Sequence, residues 1–156
     1  MKKTGSQAII WILIFQIIGL TLGLMTKNNI MSWYQLLHKS ELTPPSVVFS
    51  IVWSILYTMI ALAGYSLWKQ RNDHDARIAL YYYGAQLIMN WIWTPLFFQF
   101  HYIGFSFLWI LIIILLTFIT LYLTKNKFKF AWFMLAPYFL WLIFASYLNG
   151  IIWIMN

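Results

Sequence analysis

Hydrophobic positions in this chain run in long, nearly unbroken stretches, and the polar residues gather in short gaps between them. A run of about 18 or more apolar residues is the length of helix that crosses a ~30 Å hydrocarbon core at ~1.5 Å per residue. Five such runs can be read, over residues 8–25, 47–68, 79–100, 103–124 and 130–154. In lipid a helix satisfies its own backbone, so the pattern predicts an all-α membrane protein, a five-transmembrane-helix bundle forming one domain over residues 1–156. The gap at 26–46 is long enough for a small helix of its own around 32–38, and no repeat, low-complexity tail or soluble domain interrupts the series.

Composition strengthens this picture. With 63% hydrophobic residues, 8% charged residues and a mean hydropathy of +0.76, the chain cannot hide its apolar surface inside a 156-residue soluble globule. The absence of Cys excludes disulfides, thiol catalysis and Cys-ligated metals. Lys2 and Lys3 ahead of the first run resemble the start of a signal peptide. The run is long for one, however, and Leu24-Met25-Thr26-Lys27 offers no small-x-small cleavage site, so the segment is expected to be retained as a span.

Charge sets the expected topology. Lys2, Lys3, Lys69, Arg71, Arg77, Lys125, Lys127 and Lys129 fall on one side of the membrane and only Lys27 and Lys39 on the other. The positive-inside bias then puts the N-terminus in the cytoplasm and the 26–46 loop and C-terminus outside. The net charge of +7 is scattered over helix ends beside anionic headgroups, which argues against nucleic acid as a partner and for the lipid bilayer.

The spans are equally informative for what they lack. Glu41, Asp73 and Asp75 all lie outside the runs, as do all Lys and Arg, whereas ion-coupled carriers need such groups at depth. His38, His74 and His101 are far apart at loops and span ends. No metal cluster, paired carboxylate or nucleophile with an adjacent base is visible, and no cofactor site is expected.

Aromatic residues carry the positive signal. From Trp33 and Tyr34 the chain passes through Lys39 into Thr43-Pro44-Pro45, then into a run in which Phe49, Trp53 and Tyr57 share one helical stripe. The Pro pair is expected to stiffen the first helical turn. In the third run Gln86, Asn90, Trp93 and Phe97 follow i, i+4, i+7, i+11; in the fifth, Pro137, Trp141, Ala145 and Asn149 do the same, with Tyr138 and Tyr147 alongside. Amides in hydrocarbon need partners, so Gln86, Asn90 and Asn149 are expected to face the interior, as interhelical glue or as ligand contacts. Trp33, Trp68, Trp132 and Trp153 sit near span ends as interfacial anchors. Trp53, Trp93 and Trp141 lie at depth, where flat indoles suit a planar aromatic guest and the small Ala145 leaves it room.

Together these elements resemble the tryptophan-rich sensory protein family, also called the translocator protein or peripheral-type benzodiazepine receptor family. Trp33-Tyr34, Lys39, Pro44-Pro45, Phe49, Trp53 and Tyr57 match its first element. Gln86, Asn90, Trp93 and Phe97-Phe98 match the second, and Pro137-Tyr138, Trp141, Ala145, Tyr147 and Leu148-Asn149 the third. Ser40 stands where the family usually has Pro and Leu42 where it has an aromatic, so a looser outer loop is expected; Trp109 replaces an acidic residue common in relatives.

The resemblance implies a bacterial cell-membrane protein, often a homodimer, that binds porphyrins such as protoporphyrin IX and synthetic isoquinoline or benzodiazepine-type ligands. The implied ligand-binding residues are Tyr34, Pro44, Phe49, Trp53, Tyr57, Asn90, Trp93, Phe97, Trp141 and Ala145. Some bacterial relatives are associated with light- and oxygen-dependent degradation of protoporphyrin IX; carried over, Trp53 and Trp141 would be its catalytic residues. Transport of the same ligands, or a non-catalytic sensor or regulator role, are the alternatives. Gly19 and Gly23 form a G-x-x-x-G pair that serves either a dimer contact or a seat for another span of the same chain.

Overall fold

A computed structural model describes residues 2–156, with side chains from Gly5 onward, so Lys2 and Lys3 of the charge pattern lie outside the described side chains. The described residues are all helix and connection: α1 (Lys2–Met31), α2 (Trp33–Leu36), α3 (Ser46–Lys69), α4 (His74–Phe98), α5 (Ile103–Thr124) and α6 (Lys129–Met155). Within them α3, α5, α6 and the Gly5–Met31 stretch of α1 are long and apolar enough to cross a membrane. α4 is long enough, at 25 residues or about 37 Å, but it is less apolar, so four of the five expected spans meet both conditions. The amides that lower its apolarity are buried: Gln86 is 1% and Asn90 5% exposed.

Three boundaries differ from the sequence expectation, because apolar runs measure hydrocarbon cover and not hydrogen-bonded helix. α1 continues past residue 25 to Met31, with the Thr26 hydroxyl donating to the Leu22 carbonyl at 2.9 Å; Ser32 beyond the helix end donates to that of Asn28 at 2.7 Å. The small helix expected over 32–38 is the single turn α2. α4 begins at His74, ahead of residue 79, because Asp73 caps it, accepting from the amides of Asp75 (2.9 Å) and Ala76 (3.2 Å). Pro45 also sits one position earlier than expected. It is the N-cap of α3, at ψ 150°, and its carbonyl accepts from Val48 N–H at 2.9 Å.

The five long helices run alternately up and down. At one end the Tyr65 hydroxyl of α3 donates to Gln7 of α1 at 3.4 Å, and Lys127 joins the α5–α6 turn to Asp73 at the N-cap of α4 (2.5 Å) and to Asp75 in its first turn (3.2 Å). At the other end Asn29 of α1 reaches Gln99 at 3.4 Å, and Asn156 reaches His38. α4 packs along α5 and α5 along α6, while α3 lies against α1 and α6. Gly64 of α3 makes room for Tyr83 of α4, whose hydroxyl donates to the Ile60 carbonyl at 2.8 Å; a Cβ at Gly64 would collide with that ring. Burial is concentrated where α3, α4, α5 and α6 meet, at Ile60, Ile113, Leu135, Tyr138 and Leu142.

Candidate functional site: an aromatic chamber under the long loop

α3 places Phe49, Trp53 and Tyr57 at four-residue steps on one stripe, as the helical period requires. Phe49 meets the Trp141 ring of α6 edge-on at 5.6 Å, Trp53 meets Tyr138 at 6.4 Å, and Trp53 and Tyr57 lie 5.5 Å apart. Asn90 of α4 reaches the same point from the opposite side, its side chain beside the Tyr138 hydroxyl. Trp53, Tyr57 and Asn90 thus gather around Tyr138, while Phe49 and Trp141 meet each other across the α3–α6 seam.

A second group lies nearer the loop. Phe97, 2% exposed, receives the edge of Tyr34 at 6.2 Å and stacks on Trp93 at 5.1 Å and 12°. The Trp93 indole N–H donates to the Ser106 carbonyl at 3.1 Å, which turns this side chain toward α5. Pro44 and Ala145 are half-buried, in the loop and on α6 respectively. Trp33, expected as an interfacial anchor, packs on His101 at 3.9 Å and on Phe97 at 5.7 Å. His101 adopts φ 57° beneath it, a left-handed turn that returns the chain from α4 into α5.

The loop closing this end is tied at several points. Lys39 donates to the carbonyls of Tyr34 (2.8 Å), Leu37 (3.1 Å) and Gln35 (3.2 Å), capping α2, and its ammonium lies 4.8 Å from the Tyr34 ring centre. The Asn156 side chain bonds both backbone groups of His38, at 2.9 and 3.0 Å. Ser40, where a looser loop was expected, shares a 3.1 Å hydrogen bond with Tyr147 and accepts from Leu42 N–H at 3.1 Å, tethers that a proline could not supply. Burial pushes the Tyr34 phenol above its usual pKa, so it stays a neutral donor.

Polar groups inside are few. The Tyr138 hydroxyl donates to Gln86 Oε1 at 2.8 Å, and Thr117 of α5 approaches the same oxygen at 3.5 Å. Gln86 was expected inside as glue or ligand contact and Tyr138 alongside the α6 stripe, but Thr117 was not foreseen; the need of a buried amide for partners was the available signal, and it names no partner. Asn149 donates to the Ile103 carbonyl at 3.1 Å. Trp109, in place of an acidic residue, donates to the Met89 carbonyl at 2.8 Å and so pins α5 to α4. Three buried donors near the loop end have no protein partner among the described residues, Trp141 Nε1, Thr43 Oγ1 and Ser106 Oγ, and deeper in the bundle neither does Gln86 Nε2. A chamber of this kind offers flat apolar faces with one or two orienting donors. Among the described residues no group of three His, Asp or Glu is placed to hold a metal.

Two open grooves, of about 470 and 630 Å³, lie at the other end of the bundle, and none of the ten candidate ligand residues lines either. The glycine pair separates: a Cβ at Gly19 would stand 2.6 Å from the Tyr57 ring, whereas one at Gly23 would meet nothing within 4 Å. Gly19 therefore seats α3 of the same chain, and Gly23 stays open.

The sequence pattern of the TspO/MBR family matches residues 11–154, which include all the helices and the loop that build this chamber. The chain belongs to that family. It is 30% identical over 145 residues to the translocator protein of Sus scrofa, covering 84% of this chain and 81% of that one. It is 29% identical over 139 residues to the tryptophan-rich protein TspO of Archaeoglobus fulgidus, covering 89% and 90%. With the tryptophan-rich sensory protein of Cereibacter sphaeroides it shares 29% over 129 residues, covering 83% and 78%. This family member is an integral membrane protein: its long apolar helices leave Ile10, Ile17, Leu20, Leu115 and Leu140 about half or more exposed, as a lipid-facing surface requires.

Proposed function

We propose that this protein binds a tetrapyrrole such as protoporphyrin IX in the chamber between α3, α4 and α6, and promotes its light- and oxygen-dependent breakdown. The observation that carries the reading is the buried Trp141 Nε1, a donor without an acceptor inside a cluster of flat rings. An unpaired buried donor is costly, about 1–3 kcal/mol, and a guest offering a carboxylate or carbonyl oxygen removes that cost. Phe49, Trp53, Tyr57, Trp93 and Phe97 supply the apolar faces, and Tyr34 and Asn90 orient the guest with Pro44 and Ala145 shaping its edges. The pigment absorbs the light and dioxygen serves as oxidant, while Trp53 and Trp141 are the oxidisable neighbours the protein contributes. Synthetic isoquinoline and benzodiazepine-type ligands would enter the same space.

The bundle crosses the membrane five times, with the α1 N-terminus and the α3–α4 and α5–α6 turns on the cytoplasmic side. Burial of Gln86 and Asn90 away from lipid supports α4 as the fifth span, and the grouping of Lys69, Arg71, Arg77, Lys125, Lys127 and Lys129 at one end supports the orientation. Purified protein titrated with protoporphyrin IX in the dark should lose Trp fluorescence saturably, and illumination in air should then bleach the pigment faster than in empty micelles. Binding without faster bleaching reduces the function to a sensor or carrier. Uptake of pigment into sealed vesicles identifies a transporter, and absence of saturable quenching refutes the chamber altogether.

A further inference from the structure

The larger groove, of about 630 Å³, lies far from the chamber, where α1 and α4 diverge over the end of α3. Along α4 it is lined by Arg77, Leu80, Gly84 and Leu87, which recur on one helical face and span about 15 Å. Trp11 and Phe15 of α1 form the other wall. Its charged side chains are confined to one end, where Arg71 and Arg77 stand with Asn72 at the mouth; Tyr81 and Tyr83 also line it, the latter with its hydroxyl committed to the Ile60 carbonyl.

Charge at that mouth is uncompensated. Arg71, just beyond α3, donates back to the Trp68 carbonyl (3.0 Å) and lies over the Trp68 ring at 5.0 Å, and among the described residues it has no carboxylate partner. The Arg77 side chain has no hydrogen bond or ion pair within the described residues. The nearest acids in sequence, Asp73 and Asp75, are engaged by Lys127. Below the mouth the groove is apolar and unfilled: a Cβ at Gly84 would meet nothing within 4 Å.

We infer that this groove binds one anionic phospholipid of the adjacent leaflet, its phosphate between Arg71 and Arg77 and an acyl chain along Leu80, Gly84 and Leu87 against Trp11 and Phe15. A molecule anionic at one end and apolar for about 15 Å has the dimensions of half a bilayer, whose hydrocarbon core is ~30 Å thick. Basic recesses between membrane helices are a known means of holding such headgroups. A zwitterionic lipid fits the apolar part equally but gains less from two guanidiniums, so the groove discriminates by charge.

Native mass spectrometry of the full chain released from mixed micelles of phosphatidylglycerol and phosphatidylcholine tests this. One phosphatidylglycerol should be retained in preference to phosphatidylcholine. Arg71→Gln and Arg77→Gln should each lower that preference about fivefold and together about 25-fold, from the usual gain per basic residue near a membrane surface. Lys125→Gln/Lys129→Gln, which removes two cations outside the groove, should leave it unchanged. Gly84→Ile should abolish retention by filling the apolar part, with both arginines intact and the helical circular dichroism unchanged. Equal retention of the two lipids, or equal loss in the Lys125/Lys129 variant, overturns the site. Displacement of the lipid by millimolar inorganic phosphate would show a bare anion cradle and also refute it. A change of oligomeric mass in Gly84→Ile would assign the groove to a second copy of the chain instead.

Discussion

Gly19→Ala is the sharpest test of how α1 supports the chamber. An added Cβ would lie 2.6 and 2.7 Å from two atoms of the Tyr57 ring, and ordinary contact begins at 3.4 Å, so the ring must retreat by about 0.8 Å. Tyr57 is 7% exposed and its ring lies 5.5 Å from that of Trp53, so the displacement is passed to a proposed ligand-binding side chain. Overpacking of this kind costs about 1–3 kcal/mol. For a chain of this size each kcal/mol lowers the melting temperature by about 2–4 °C. Gly23→Ala, four residues along the same helix with nothing within 4 Å, is the control and should be close to neutral. Thermal unfolding of both variants in one detergent, followed by circular dichroism, with protoporphyrin IX titration alongside, reads the two effects together. Equal melting temperatures for the two variants would refute the seating of α3 on Gly19, and an unchanged affinity in a destabilised Gly19→Ala would remove Tyr57 from the ligand site. Gly23→Leu, sized in detergent, asks separately whether the open glycine is a dimer contact.

Further outcomes follow from other contacts. Tyr138→Phe removes the donor to Gln86 Oε1 and leaves only the 3.5 Å approach of Thr117, so it should destabilise the fold by about 0.6–1.7 kcal/mol; in a double-mutant cycle with Gln86→Leu the two effects should be less than additive. Trp53→Phe should retain most pigment binding while slowing bleaching, since phenyl keeps a flat face but is harder to oxidise; Trp141→Phe should slow bleaching too but also weaken binding, because it deletes the Nε1 donor proposed to meet the guest, and unchanged bleaching in the double variant would exclude both from the chemistry. The hydrogen bond from Lys127 and the capping amides hold the Asp73 carboxyl below its usual range, and the same pair raises the Lys127 ammonium. That contribution is present above the ordinary carboxylate pKa of about 4 and is lost as pH falls through the depressed folded value, so the melting-temperature gap between wild type and Lys127→Met should be flat from about pH 5 to 9 and close in acid.

Much of the chamber was legible because helical spacing is a local property. Phe49, Trp53 and Tyr57 on one stripe, and Gln86 and Asn90 turned inward, follow from a 3.6-residue period and from the cost of an amide in lipid. Such spacing gives a residue's side of the helix but not its partner. Trp93 shares a stripe with Phe97, yet its N–H is taken by Ser106 on the next helix. Tyr138 with Gln86, Ser40 with Tyr147 and His38 with Asn156 are separated by 52, 107 and 118 residues, and nothing in the intervening sequence encodes those meetings. The glycine pair was ambiguous for the same reason: four residues apart on one face, only Gly19 has an α3 ring above it.

The distribution of hydrogen bonds around the chamber gives it walls of unequal stiffness. On the α4–α5 side Trp93 and Trp109 are each bolted to a backbone carbonyl of the neighbouring helix, and Tyr83 fastens α4 to α3 lower down. On the α3–α6 side Phe49 and Trp141 touch only through ring edges, and the one polar atom Trp141 has to offer is unattached. Swinging those two rings aside breaks no hydrogen bond of their own, whereas moving Trp93 breaks one. If the chamber takes the proposed guest, the α3–α6 seam is the wall that can open for it at least cost, with the α4–α5 hairpin as the stationary jaw.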